Sequence, residues 1–262
     1  IITLIWVRLG SGGARSPAVL AMLPLFGSFL FVYSGSFFGH LIGALFLLLA
    51  LMAYDRQRML LAGSLAGVAV LCEFTLAIFP LCWAVMLLIK DRNAALRFLA
   101  GGIPGLAFLL LYNWTLSGNA FTLGYQHEVK YDFMSDRLGF RTPTWEATWG
   151  LGFSAYRGLL FYMPVLVIGA IAWFVSARWH WRRIVGPVAL PVVISFLAIS
   201  SYAMWWGGWA YGPRHLTAVA VLLEWRAMPL IAGRKWMQQV ALGLGAFGFA
   251  CAFLAKSTLW YS

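Results

Sequence analysis

Residues 59–89 read MLLAGSLAGVAVLCEFTLAIFPLCWAVMLLI, an apolar run whose one charged group is Glu73. How this run divides decides the fold. It is too long for one membrane crossing and short for two: halves of about 15 residues at 1.5 Å each reach about 22 Å, against a hydrocarbon core of about 30 Å. Basic groups bracket it, Arg58 before and Lys90 and Arg92 after. A hairpin of two short helices satisfies these facts, with both ends on one side and Glu73 near the tip. A carboxylate at that depth faces a cavity or pairs with a cation rather than meeting lipid.

The rest of the chain has the same character. It is 62% hydrophobic and only 10% charged, with a mean hydropathy of +0.82, more apolar surface than a soluble domain can hide. The expected class is an all-α polytopic membrane protein, one transmembrane domain over residues 1–262. The 14 tryptophans, 10 tyrosines and 20 phenylalanines fit aromatic belts at several interfaces. Cys72, Cys82 and Cys251 lie inside apolar runs, form no metal-binding spacing and read as small hydrophobes.

Further spans are predicted at residues 17–33, 37–54, 96–116 (interrupted by GGIPG), 156–177, 184–202, 214–232 and 236–255. With the hairpin this makes about eight transmembrane helices. Residues 1–9 read as the end of a span already under way, so the chain is expected to be incomplete at its N-terminus. The formal net charge of +11 reflects topology, not nucleic-acid binding, because the basic residues sit in short gaps between apolar segments. Alternation of the spans places 12 of the 19 lysines and arginines on one side and six on the other, with Arg226 inside a span. The richer side is the cytoplasm. The turn YSGS at 33–36, the hydrophilic loop 117–154 and the motif WWGGWAYGPRHL at 205–216 then share the external face.

That last motif is more than a belt. Gly207-Gly208 and Gly212-Pro213 fix a particular backbone path. Arg214 and His215 follow at the head of a span, where the helix N-terminus already carries positive potential. A guanidinium there makes most sense beside an anion, since exposed N–H groups and an arginine together form a phosphate site. Arg157 opens another span on the same face. His40, a few residues into its span, and Glu73 are intramembrane ionisable groups, which makes them candidates for function. Tyr211, His215, His40 and Glu73 join Arg157 and Arg214 as candidate binding residues. In the loop, His127-Glu128 lacks a second histidine at helical spacing, so no metal site is expected. The loop's aromatics suit a lid folded back on the membrane surface.

The segments YSGSFFGHLIGALFLLLA, LLAGSLAGVAVLCEFTLAIFPL, SGNAFTLGY, SAYRGLLFYMPVL and WWGGWAYGPRHL follow one another in this order. Over approximately residues 17–232 the chain resembles the membrane region of bacterial GT-C class glycosyltransferases, multi-pass enzymes related to the family 39 mannosyltransferases and the lipopolysaccharide-modifying Rgt-type enzymes. The resemblance implies transfer of a sugar from a polyprenyl-phosphate carrier, on the external face, to a lipid, glycan or protein acceptor. It implies a bacterial inner-membrane location, names no cofactor, and implies partners that are membrane lipid, lipid-linked sugar donor and glycan or lipid acceptor rather than nucleic acid. Arg157 and Arg214 match positions where basic residues hold the carrier phosphate. The family's catalytic acid, in the first external loop, has no counterpart in this sequence. Glu128, Asp132, Asp136 and Glu146 do not match it, so the role is not transferred to them. Two other readings stay open, a non-enzymatic transporter or flippase of lipid-linked intermediates and a structural membrane subunit.

Overall fold

The computed structural model describes residues 1–11, 17–35, 38–122 and 139–258, apart from the side chains at 11, 176–185 and 256–258. His127, Glu128, Asp132 and Asp136 lie outside the described residues, and with them most of the expected lid. Among the described residues the fold is all-helical. Three helical segments among the described residues are long and apolar enough to cross a membrane: Arg92–Ser117, Arg214–Ala232 and Lys235–Ala255. The other apolar helices are shorter, so the expected count of eight transmembrane helices is not what their lengths establish.

The run 59–89 divides where its acid sits. Helix α5 (Met59–Cys72) stops at Glu73, whose backbone is extended (φ −159°, ψ 118°). A short 3-10 turn, Phe74–Ala77, follows, and then α6 (Ile78–Lys90). Pro80 falls in the first turn of α6, where its missing N–H costs no hydrogen bond. Asp91 next caps α7 (Arg92–Ser117), accepting from Asn93 N at 3.0 Å and Ala94 N at 3.1 Å. Gly118, at φ 71°, closes that helix in the left-handed conformation.

The expected interruption of α7 at GGIPG is not there. The helix runs on through Pro104, and its glycines serve packing instead. A Cβ on Gly101 would lie 2.0 Å from Leu60 O of α5, and one on Gly63 would lie 1.9 Å from Phe98 O of α7. The two backbones touch because neither helix carries a side chain at the crossing.

The span expected at 17–33 is likewise divided, into α2 (Pro17–Phe26) and α3 (Leu30–Tyr33). The break at Gly27 is where α12 (Lys235–Thr258) crosses, with a Gly27 Cβ only 2.8 Å from Gly245 Cα. The N-terminal α1 (Ile2–Ser11) lies beside α2.

Helix α4 (His40–Asp55) packs on α5. A short segment then leads from α8 (Trp145–Gly152) through α9 (Leu159–Tyr162) to α10 (Val165–Ser200), so the span expected to begin at 156 begins instead at 165. Helix α10 runs from the first of the two expected spans into the second without the expected break, and its two apolar stretches, Val165–Val175 and Gly186–Ser200, flank the basic segment. Pro191 has no N–H to give the carbonyl of Pro187, four residues earlier. The Trp83 indole supplies one, donating from Nε1 at 2.6 Å and so tying α6 to α10. Trp83→Phe is expected to leave that carbonyl unpaired and lower stability by about 1–3 kcal/mol, read as a drop in the thermal midpoint in detergent.

Helix α11 (Thr217–Ala232) is central. Of its apolar window 67% is buried, against 22% for α7 and 28% for α12, which turn their apolar faces outward. At one end Arg226 Nη2 donates to Asp55 Oδ1 at 2.8 Å, and the Arg8 guanidinium lies 4.1 Å from the Trp225 ring centroid. The candidate residues gather at the other end, where α4 and α11 begin and α5 and α10 finish.

Candidate functional site

The motif WWGGWAYGPRHL takes a fixed path between α10 and α11. Gly207, Gly208 and Gly212 all have positive φ, at 77°, 63° and 65°, which a side chain would resist. Gly207 and Gly212 leave room for a neighbour as well. A Cβ on Gly207 would stand 3.1 Å from Arg214 Cγ and Nε, and one on Gly212 3.0 Å from the Tyr162 ring. Three donors pin the loop from outside: Tyr33 OH reaches Tyr211 O at 2.8 Å, Arg157 Nη2 reaches Gly208 O at 2.8 Å, and Arg157 Nη1 donates to Ala210 O.

Arg157 therefore turns inward. It is 9% exposed, lies against the Tyr156 ring and spends two nitrogens on loop carbonyls. The sequence places it at a carrier phosphate; the structure shows it holding the loop that presents Arg214. Arg157→Ala is expected to destabilise the protein by about 2–3 kcal/mol, because two carbonyls lose a charged donor. The checks are the thermal midpoint and faster proteolytic cleavage within 205–213. Tyr211 packs edge to face on Tyr162, ring centroids 4.8 Å apart. Burial first, then the neighbouring Tyr162 phenol, pushes the Tyr211 phenol above its ordinary value, so it stays a neutral hydroxyl.

Beneath the loop, His40, Glu73 and His215 come together from three parts of the chain. Gly39 makes this approach possible. A Cβ there would meet Cys72 O at 2.8 Å, so only glycine lets the start of α4 abut the end of α5. His40 Nδ1 contacts Glu73 Oε2, and Thr75 Oγ1 donates to Glu73 Oε1 at 2.7 Å. His215 Nδ1 is 4.0 Å from Glu73 Oε1, beyond hydrogen-bond range. Both ring nitrogens of His215 are buried without a hydrogen-bond partner, and so is Arg214 Nε. The Arg214 guanidinium lies 5.1 Å from the Phe38 ring centroid, and Phe38 stacks on His40 at 5.7 Å. Tyr202 sets its edge on His215 at 5.9 Å.

Of the six candidates, His40, Glu73, His215 and Arg214 form one cluster, while Arg157 and Tyr211 belong to the loop above it. Buried donors left without partners beside a carboxylate and a guanidinium are unusual, because an unmade buried hydrogen bond costs about 1–3 kcal/mol. They suit a site completed by a ligand.

Sequence reasoning passed over Thr75, Phe38 and Glu224. Glu224 is fully buried in α11, and neither of its oxygens has a partner. The signal for it was available: it shares with Glu73 the distinction of being an acid inside an apolar segment. The two aromatic and hydroxyl supports had no comparable signal.

Comparison with known protein families, with curated proteins and with solved structures finds no match for this chain.

Proposed function

We propose that this chain is an integral membrane glycosyltransferase of the GT-C type, with Arg214 holding the phosphate of a polyprenyl-linked sugar donor at the external face of a bacterial inner membrane. The observation that carries the reading is Arg214 itself. Its guanidinium stands at the head of α11, opposite a glycine that leaves room for it, and its buried Nε has no partner within the chain. An anion on this spot meets a guanidinium at the positive end of a helix dipole. The carrier phosphate is both anchor and leaving group, so a fixed cation stabilises the charge that develops as the sugar departs. Arg157 is a positioning residue that keeps Arg214 aimed. Trp209, 99% exposed, suits sugar faces and the headgroup region, while the half-buried Trp205 packs on Gly150 and meets Trp206 edge to face at 5.9 Å. The shorter apolar helices complete the membrane domain around the three long ones in this reading.

The test is a transfer assay in liposomes with the full chain and polyprenyl-phosphate sugars, followed by the appearance of sugar on an acceptor. Donor consumption that depends on acceptor supports the enzyme. Movement of intact donor across the bilayer with no sugar transferred would instead support a flippase.

A further inference from the structure

The geometry points to a divalent transition-metal site, of zinc type, formed by His40, Glu73 and His215. These three offer ligand atoms that all lie within 4.8 Å of one another. Two ligands on a tetrahedral zinc, at bonds of about 2.0–2.2 Å, stand about 3.3–3.6 Å apart. The set closes if the outermost pair draws in by about 1 Å and the His40–Glu73 contact opens to admit the ion. The donors are two imidazoles and one carboxylate, which suits zinc and its first-row neighbours better than magnesium or calcium, both of which prefer all-oxygen shells.

Three further features belong to a metal site rather than to a packed histidine. His215 is buried with both ring nitrogens lacking a hydrogen-bond partner, and Nδ1 is the one aimed at Glu73. A metal ion would give that nitrogen its missing partner. Thr75 donates to Glu73 Oε1 at 2.7 Å, the kind of support that orients a ligating carboxylate. Lastly, the three ligands sit on separate supports: the first residue of α4, the break between α5 and α6, and the 3-10 turn Arg214–Leu216 that leads into α11. Ligands on three elements give a site a defined shape, and metal binding then staples those elements together.

Arg214 is the charged neighbour on the cluster's own turn. It opposes a cation, and Glu73 alone does not cancel both charges. Three protein ligands leave a fourth position open, and an anion there would face the metal and Arg214 together. The metal proposal does not rest on the transferase reading, because metal content is measured without substrate.

The experiment uses the full chain purified in detergent, stripped with a chelator, dialysed against zinc and analysed for metal by mass spectrometry. About one zinc per chain is expected, with a rise in the thermal midpoint on reloading. Glu73→Gln and His215→Gln, which preserve volume, are expected to lose at least about tenfold in zinc affinity. Cys82→Ser and Cys251→Ser are expected to keep it. Cobalt loading supplies a ligand-field spectrum that reports nitrogen and oxygen donors. Substoichiometric zinc in the wild-type chain overturns the proposal whether or not any variant folds. So does zinc that Glu73→Gln and His215→Gln retain at wild-type affinity.

Discussion

Arg214→Ala is expected to lower kcat/KM for sugar transfer by about 10²–10³-fold, the cost of removing one preorganised donor from developing charge. The reason lies in position rather than in charge count. The guanidinium is fixed between the space left by Gly207 and the Phe38 ring, below a loop that Arg157 and Tyr33 pin from outside. The loss should fall mainly on kcat/KM, because the contact serves both donor capture and leaving-group stabilisation. Arg214→Lys keeps the charge but not the planar fork, and is expected to recover only part of the loss. Thermal midpoints of both variants should stay close to wild type, since Arg214 Nε has no partner in the chain to forfeit. A variant that keeps full activity would remove Arg214 from the mechanism.

The largest effect on stability is expected at the crossing of α5 and α7. Gly63→Val and Gly101→Val would each drive a side chain into the facing backbone, where even a Cβ would come within about 2 Å of a carbonyl oxygen. Neither Phe98 O nor Leu60 O can yield, because both belong to helices. The helices must separate, and the loss of close packing costs about 3 kcal/mol or more. For a chain of this size that is a fall of about 6–12 °C in the thermal midpoint. Gly102→Val is the control, since its Cβ has nothing nearer than 3.8 Å. Equal midpoints for all three would show that the crossing is looser than these distances require.

The contrast between this crossing and the run 59–89 shows what the sequence could convey. The division at Glu73 was legible because length arithmetic and one acid in an apolar run both marked it. The glycines of GGIPG carried no such mark. Glycine weakens a helix and also lets helices touch, and the choice depends on what lies opposite, which a single strand of sequence does not display. The same ambiguity hid the break at Gly27, whose cause is the backbone of α12, more than two hundred residues along the chain.

The candidate site was half legible for a similar reason. Alternation of spans placed His40, Glu73, Arg157 and the motif at 205–216 at one end, and residue chemistry marked them. Their division of labour was not readable. Arg157 and Arg214 look alike as arginines at helix starts, yet one is consumed by loop carbonyls and the other is not. The grouping of His40, Glu73 and His215 escaped motif spacing because its members come from three separated elements that Gly39 allows to meet.

The central claim is that the end of the bundle around Arg214 recognises a lipid-linked phosphate. The most direct measurement is binding of a short-chain polyprenyl phosphate to the full chain in nanodiscs, compared with the same polyprenyl alcohol. The phosphate is expected to bind at least about tenfold more tightly than the alcohol, a difference of about 1.4 kcal/mol, and Arg214→Ala is expected to erase that difference. Equal affinity of phosphate and alcohol for the wild-type chain would contradict the account.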